Sequence, residues 1–333
     1  MADATCDRSL INGTGAPWEV NWRAVDRTRC SCPSDLSMSA TLASGEILRM
    51  PAKRCSLLLG QQRVQMQIMA PALDFPAYTA HEINKGTYGN LSRVLTKNLS
   101  AASPRLSPTW VDVGANLGLL SIAMALANPS ASGVAYEPNP IVYAFLRHNI
   151  EANGLAGRVR AVNAGISSDG RQLVMPRCVV AQRTGSQMAS TQWVNGRTSQ
   201  LCFSPACHRK ALDTAQCMKE DPRVVPVPSV TLSSALEAGV AMRGGAMLSM
   251  RASRAGLNLL KVDCEGCEHE IMDRIRDARE SGAVLRVTGE CHAIKNLTDA
   301  QKMDCLRELR GRDCKYGVTF YLTCKVNQKG PYR

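Results

Sequence analysis

From Thr109 onward the chain alternates short apolar runs with longer stretches of helical spacing. Trp110-Val111-Asp112-Val113 reads as a strand, Leu117 to Leu126 as an apolar helix, and Val134-Ala135-Tyr136 as a second strand closed by Glu137. Pro140 to Asn153 carries proline in its first turn and Gly154 just past its end, the polarity expected of a helix. Val159 to Asn163 reads as a third strand. Farther on, Val224 to Val230 reads as a strand or extended link and Ser233 to Ala241 as a helix. Leu257 to Val262 reads as a core strand, and Glu268 to Ser281 as an amphipathic helix carrying Ile271, Met272 and Ile275. Val284 to Thr288 is predicted as a strand and Thr298 to Gly311 as a helix, with Thr298 and Gln301 at capping-box spacing. Val318 to Cys324 is predicted as a closing strand. Strands alternating with helices in this way predict an α/β fold, a mostly parallel sheet with helices on both faces.

Two segments break the rhythm. Residues 1 to 105 are rich in Ser, Pro, Cys and Thr and read as an N-terminal extension with one or two strands and a short helix near Asn90 to Leu99. Pro104 and Pro108 mark its boundary. Residues 171 to about 225 are polar, carry Cys178, Cys202, Cys207 and Cys217, and read as an insertion with a short hairpin. The expected plan is an extension over 1–105, an α/β domain over 106–326 and a tail over 327–333.

Composition changes this picture in three places. Hydrophobic residues make up 45% of the 333-residue chain but aromatics only 5%, so aliphatic side chains and alanine must fill the core. The formal charge of +12 is spread along the chain rather than gathered in one run, which argues against a nucleic-acid surface. Fourteen cysteines are many for a chain kept reduced. Cys264, Cys291 and Cys324 lie in apolar runs and read as buried small hydrophobes, whereas the insertion's four read as disulfide formers. Asn12, Asn90, Asn98 and Asn296 stand in Asn-x-Ser/Thr sites. Met1 to Arg8 has no apolar h-region, so no signal peptide is read there, and no apolar run is long enough to span a bilayer. The compartment stays open between cytoplasm and lumen.

The strongest chemical signal is Asp112-Val113-Gly114-Ala115-Asn116-Leu117-Gly118, a turn leading from a strand straight into a helix. Such a turn needs glycine where the backbone bends sharply or lies against a ligand, and the helix start offers free N–H groups. Dinucleotide folds place glycine two residues after the first, so that pyrophosphate can approach. Here that position is Asn116, and Asp112 adds a negative charge. A cofactor without phosphates, such as S-adenosylmethionine, suits the turn better, with Asp112 helping to hold its cationic methionine end. Glu137, at the end of the second strand, is placed to accept hydrogen bonds from both ribose hydroxyls. Asn163 and Ala164, at the end of the third strand, are candidates to contact adenine.

A second cluster, Lys261-Val262-Asp263-Cys264-Glu265-Gly266-Cys267-Glu268, again follows an apolar strand and opens a helix. Charged groups at the carboxyl end of a parallel strand are costly to bury and point to a ligand crevice, with Asp263 the best-placed acceptor. Cys264 and Cys267 have C-x-x-C spacing, for which a redox or metal role is conceivable, but no second Cys/His pair at zinc-like spacing accompanies them, so neither role is expected. The third cluster is Thr288-Gly289-Glu290-Cys291-His292, in which His292 is a candidate base for a substrate hydroxyl.

Together the clusters resemble the FkbM family of class I S-adenosylmethionine-dependent methyltransferases. The likeness runs from about His81 to Val326, including Glu82, Tyr88, Glu137-Pro138-Asn139-Pro140, Asn149, Asn153-Gly154-Leu155 and Ser168-Asp169-Gly170. It implies a Rossmann-like fold and methyl transfer from S-adenosyl-L-methionine, commonly to a hydroxyl of a sugar or secondary metabolite, without an obligatory metal. The cofactor site would comprise Asp112, Gly114, Asn116, Gly118, Glu137, Asn163, Ala164 and Asp263, with His292 and Asp263 catalytic. The cysteine-rich insertion and long extension depart from the family pattern. Two rival readings are a nucleic-acid methyltransferase, opposed by the absence of an Asn/Asp-Pro-Pro-aromatic motif, and a binding module that kept the fold without the chemistry.

Overall fold

A computed structural model of the chain describes residues 29–31, 36–59, 64–71, 108–176, 224–242, 257–264, 267–284, 286–289, 291 and 298–310. Its centre is a five-stranded, wholly parallel sheet. The strands are β5 (Thr109–Val113), β6 (Ser132–Tyr136), β7 (Val159–Val162), β12 (Leu259–Val262) and β13 (Val287–Gly289), in spatial order β13-β12-β5-β6-β7. Val111 pairs with Val134 on one side and Leu260 on the other. The chain steps outward from β5 through β6 to β7, then returns to β12 on the opposite side. The order in which strands are added therefore reverses between β5 and β12, the place where open α/β sheets hold ligands beyond their carboxyl ends. These directions and this order are those of the expected Rossmann-like, class I methyltransferase architecture.

Strand alternation divides the core in two. Trp110, Ala135 and Leu259 face one layer, where α1 (Leu119–Ala127) and α2 (Pro140–Ala152) contribute Ile122, Met124, Ile141 and Phe145. Val111, Val134, Leu260 and Val262 face the other, with α3 (Leu232–Ala241), α5 (Met272–Glu280) and α6 (Asp299–Arg310). The apolar runs are continuous because both faces are covered. In α2, Pro140 opens the helix and Asn139 caps it, its side chain accepting from the N–H of Ile141 and Val142. Thr298 and Gln301 form the reciprocal cap expected at the start of α6.

The N-terminal region holds more strand than expected. β1 (Arg29–Ser31), β2 (Ser37–Thr41), β3 (Ile47–Leu59) and β4 (Val64–Pro71) form an antiparallel sheet. Leu57, Met66, Ile68 and Met69 enter the same core as Ile122 and Phe145. Two asparagines one helical turn apart complete the joint. Asn149 accepts from the Met69 N–H at 2.7 Å and donates to the Met69 carbonyl at 2.9 Å. Asn153 does the same for Gln67, at 2.9 and 2.7 Å. Side-chain amides on α2 thus stand in for a neighbouring strand along β4.

β8 (Gly165–Ser167) pairs in parallel with β11 (Ser229–Thr231), and β9 (Leu173–Pro176) pairs antiparallel with β10 (Val224–Val227). The latter pair closes the base of the expected insertion, whose cysteines lie outside the described residues. So do the expected helix near Asn90, the strand Val318 to Cys324, and Glu82 and Tyr88. The single helix expected from Glu268 to Ser281 is instead two, α4 (Cys267–Glu270) and α5, interrupted at Ile271 (φ −103°, ψ 8°). The buried Ile271 side chain serves the core, while the backbone there leaves helical geometry.

Candidate functional site

The turn after β5 is shaped by two close approaches. Gly114 (φ +73°) and Ala115 donate their N–H groups to the Tyr136 carbonyl at the end of β6, at 3.0 and 2.9 Å. A Cβ on Gly114 would lie 1.9 Å from the Asp263 carbonyl oxygen. Glycine is therefore required twice here, by conformation and by contact with the backbone beyond β12. Gly118 (φ +84°) precedes α1, and a Cβ there would meet Leu146 at 2.6 Å. Asn116 also takes a left-handed conformation (φ 54°), supported by its own Oδ1 accepting from the Leu117 N–H at 2.7 Å.

Glu137 stands beside this turn. It is 5% exposed, and its carboxylate accepts from the Asn116 N–H at 3.0 Å and from the Asn139 N–H at 2.9 Å. Burial pushes its pKa up to about 7, against the opposing pull of those amides and of Lys261. Each oxygen spends one lone pair on an amide and keeps acceptor capacity for another donor. Asn163 does not turn toward the space above the sheet. Its Nδ2 donates to the carbonyls of Glu137 and Pro138, at 2.8 and 2.9 Å, fastening the ends of β6 and β7 together.

Asp112, expected at the ligand, is instead 0% exposed. Its Oδ2 accepts from Ser121 at 2.8 Å, and Ser121 in turn accepts from the Trp110 indole N–H at 3.2 Å. Its Oδ1 lies 3.0 Å from Lys261 Nζ, an ion pair rather than a directed hydrogen bond. Lys261 also donates to the Gly114 carbonyl at 2.7 Å. The Asp112 side chain points down into the α1 layer because alternation along β5 sends it there with Trp110's neighbour Ser121. Its charge reaches the turn through Lys261. Sequence reasoning gave Lys261 and Ser121 no such part; a lysine inside the apolar run Leu259-Leu260-Lys261-Val262 was the available signal. Asp263 sits at the rim, partly exposed, with Oδ2 3.8 Å from Lys261 Nζ and its N–H donated to the Val113 carbonyl.

Near these groups lies a small cleft, open to solvent, lined by Gly114, Tyr136, Pro138, Ala164, Cys264 and Cys267 among others. The structure brings Gly114, Ala164, Cys264 and Cys267 to one cavity, walled on another side by Tyr136 and Pro138, the chain neighbours of Glu137. His292 and Glu290 lie outside the described residues, as does Glu265.

Two of the expected lone cysteines are corrected. Cys264 is bonded to Cys267, and Cys291 to Cys305, with Cα separations of 5.4 and 6.0 Å. Cys264, Cys267 and Cys305 are buried and Cys291 half-buried, and all are paired: α4 brings Cys267 back over the end of β12, and α6 packs on β13. No cysteine among the described residues is free. Cys264, Cys267 and the buried Glu268 are close enough together to hold a cation. With the sulfurs bonded to each other, only the carboxylate would ligate.

No family model matches the chain. Over 62 residues it is 40% identical to "Methyltransferase sdnD" of Sordaria araneosa, covering 19% of this chain and 24% of that one. Over 167 residues it is 26% identical to "Methyltransferase 1" of Beauveria bassiana (strain ARSEF 2860), covering 50% and 58%. The chain therefore spans from a quarter to just over half of these relatives. A crystal structure of the S-adenosylmethionine-dependent methyltransferase SibL in its apo form overlaps 24% of each chain at 26% identity, with a TM-score of 0.19. No helix among the described residues is long and apolar enough to cross a membrane.

Proposed function

We propose that this chain is an S-adenosylmethionine-dependent methyltransferase of FkbM type that methylates a hydroxyl on a glycan or small metabolite. The observation that carries this reading is the placement of Glu137 beside a left-handed glycine turn and a cleft at the β5–β12 switch point. Relatives named methyltransferases support the class.

The residues present fit the cofactor. Glu137 keeps acceptor capacity for the two ribose hydroxyls. Pro138 and Ala164 offer an apolar wall for the adenine, and Asn163 acts by fastening the two strand ends together at a fixed spacing. Gly114 and Asn116 present backbone to the amino-acid end, while Gly118 lets α1 begin directly below. When bound, the cofactor supplies an electrophilic methyl group. The protein's share is to exclude water and align the acceptor oxygen, the source of most of the rate gain in such displacements. Asp263 at the rim and His292 are assigned to receive the acceptor's proton.

Calorimetry with S-adenosylhomocysteine, on the intact chain and on Glu137→Ala, tests the site; micromolar binding lost in the variant is expected. Incubation with labelled S-adenosylmethionine and a panel of glycans, hydroxylated metabolites and RNA then identifies the acceptor class. Unchanged affinity in the variant would remove Glu137 from the site. Label transferred only to RNA, with steeply salt-dependent binding, would replace the acceptor assignment.

A further inference from the structure

The Cys264–Cys267 bridge is not used by the reading above, yet both residues line the cleft. Cys264 is 8% exposed and Cys267 3%, and the cleft wall is where they meet open space. The bridge joins the end of β12 to the first residue of α4. The far end of α4 is fastened separately: Arg171 holds Glu270 through two hydrogen bonds of 2.6 and 2.7 Å, and Ser168 donates to Glu270 from its N–H and hydroxyl. With that end fixed, the bridge helps set how the Cys267 end of the wall sits over β12, together with the short backbone link and the core packing of Cys267 and Ile271. The fully buried Glu268 places Oε2 3.3 Å from Cys264 Sγ. The other bridge, Cys291–Cys305, does not line the cleft and serves as an internal reference.

From this geometry we infer that Cys264–Cys267 is a thiol–disulfide exchange site reached through the cofactor cleft, so that cofactor and small dithiols compete there. The inference rests on the cofactor reading of the cleft. A dithiol enters as its thiolate and attacks one sulfur of the bridge. The other cysteine leaves as thiolate and takes up a proton. The reagent's second thiol, on losing its proton, closes onto its own bonded sulfur and releases the first cysteine. In sum the bridge gains two electrons and two protons, and the dithiol becomes a cyclic disulfide. Reduction removes the side-chain cross-link between the residue after β12 and the start of α4, letting the two sulfurs separate to van der Waals contact and shifting the cleft wall. Linkage then makes the effects reciprocal: a ligand that occupies the intact cleft protects the bridge, and loss of the bridge weakens the ligand.

The test uses the full chain, dithiothreitol and S-adenosylhomocysteine. Timed alkylation with peptide mass spectrometry follows both bridges. Cys264–Cys267 is expected to open faster than Cys291–Cys305, and saturating S-adenosylhomocysteine to slow it about tenfold while leaving Cys291–Cys305 unchanged. Calorimetry on C264S/C267S is expected to show about tenfold weaker binding. Should that variant not fold, the reduction rates of the native chain decide. Equal protection of both bridges, or none although the ligand binds, overturns the inference. If S-adenosylhomocysteine binds neither form, the cofactor reading falls. Selective opening of Cys264–Cys267 would then still support an exchange site, and its absence would remove it.

Discussion

Glu137 and Lys261 show how single charges are tolerated under the cleft. Glu137 is an acid whose folded pKa, about 7, lies above its ordinary 4.5. Between those values the folded chain holds a proton that the unfolded chain has lost, so this group's contribution to stability falls as pH rises through the window. Ligand binding runs the other way. Ribose hydroxyls donate best to the ionised carboxylate, so affinity for S-adenosylhomocysteine should fall by up to about tenfold per pH unit below 7 and level off above it. Calorimetry from pH 5.5 to 8.5 checks this; a flat profile would mean that the carboxylate does not meet the ligand. Lys261 is the counter-charge to a fully buried Asp112. Lys261→Met strands that carboxylate and should cost about 3–5 kcal/mol in urea melts, much of it regained when Asp112→Leu is added. A loss under about 1 kcal/mol would match an exposed ion pair instead.

At the scale of elements, the asparagine pair on α2 carries the joint to β4. Asn149 serves the Met69 N–H and carbonyl and the Leu117 carbonyl, all away from water, so Asn149→Ala should cost about 2–4 kcal/mol. Asn153 makes the same pattern with Gln67 where water can replace it, so Asn153→Ala should cost only about 0.5–1 kcal/mol. Equal losses in parallel denaturant melts would contradict the strand-mimic account. The sequence marked both asparagines as motif positions but not their task, because their partners lie some 80 residues earlier in chain order. Strand and helix order from β5 to α6 was legible because burial on both faces leaves unbroken apolar runs. The division between α4 and α5 was not, because Ile271, Met272 and Ile275 keep helical spacing across it.

For the molecule as a whole, the N-terminal sheet is part of the main core. Leu57, Met66 and Ile68 are buried against the layer of α1 and α2. Deleting residues 1–105 uncovers that layer, and the remainder is expected to lack a cooperative thermal transition by circular dichroism. A sharp melt from the truncated chain would show that the α/β unit stands alone.

By itself the sequence determined the α/β architecture, the glycine turn and the position of Glu137 at the end of β6. Each depends on local spacing and on conformations that few residues adopt. Only the tertiary structure decided where side chains point and whom they meet: Asp112 inward to Lys261, Asn163 across to β6, Cys291 onto Cys305. Those outcomes follow from which elements lie beside which. The order β13-β12-β5-β6-β7 puts β12 against β5, although nearly 150 residues separate Asp112 from Lys261 along the chain. Such a pairing is set by the shared burial of two layers, and no window of neighbouring residues records it.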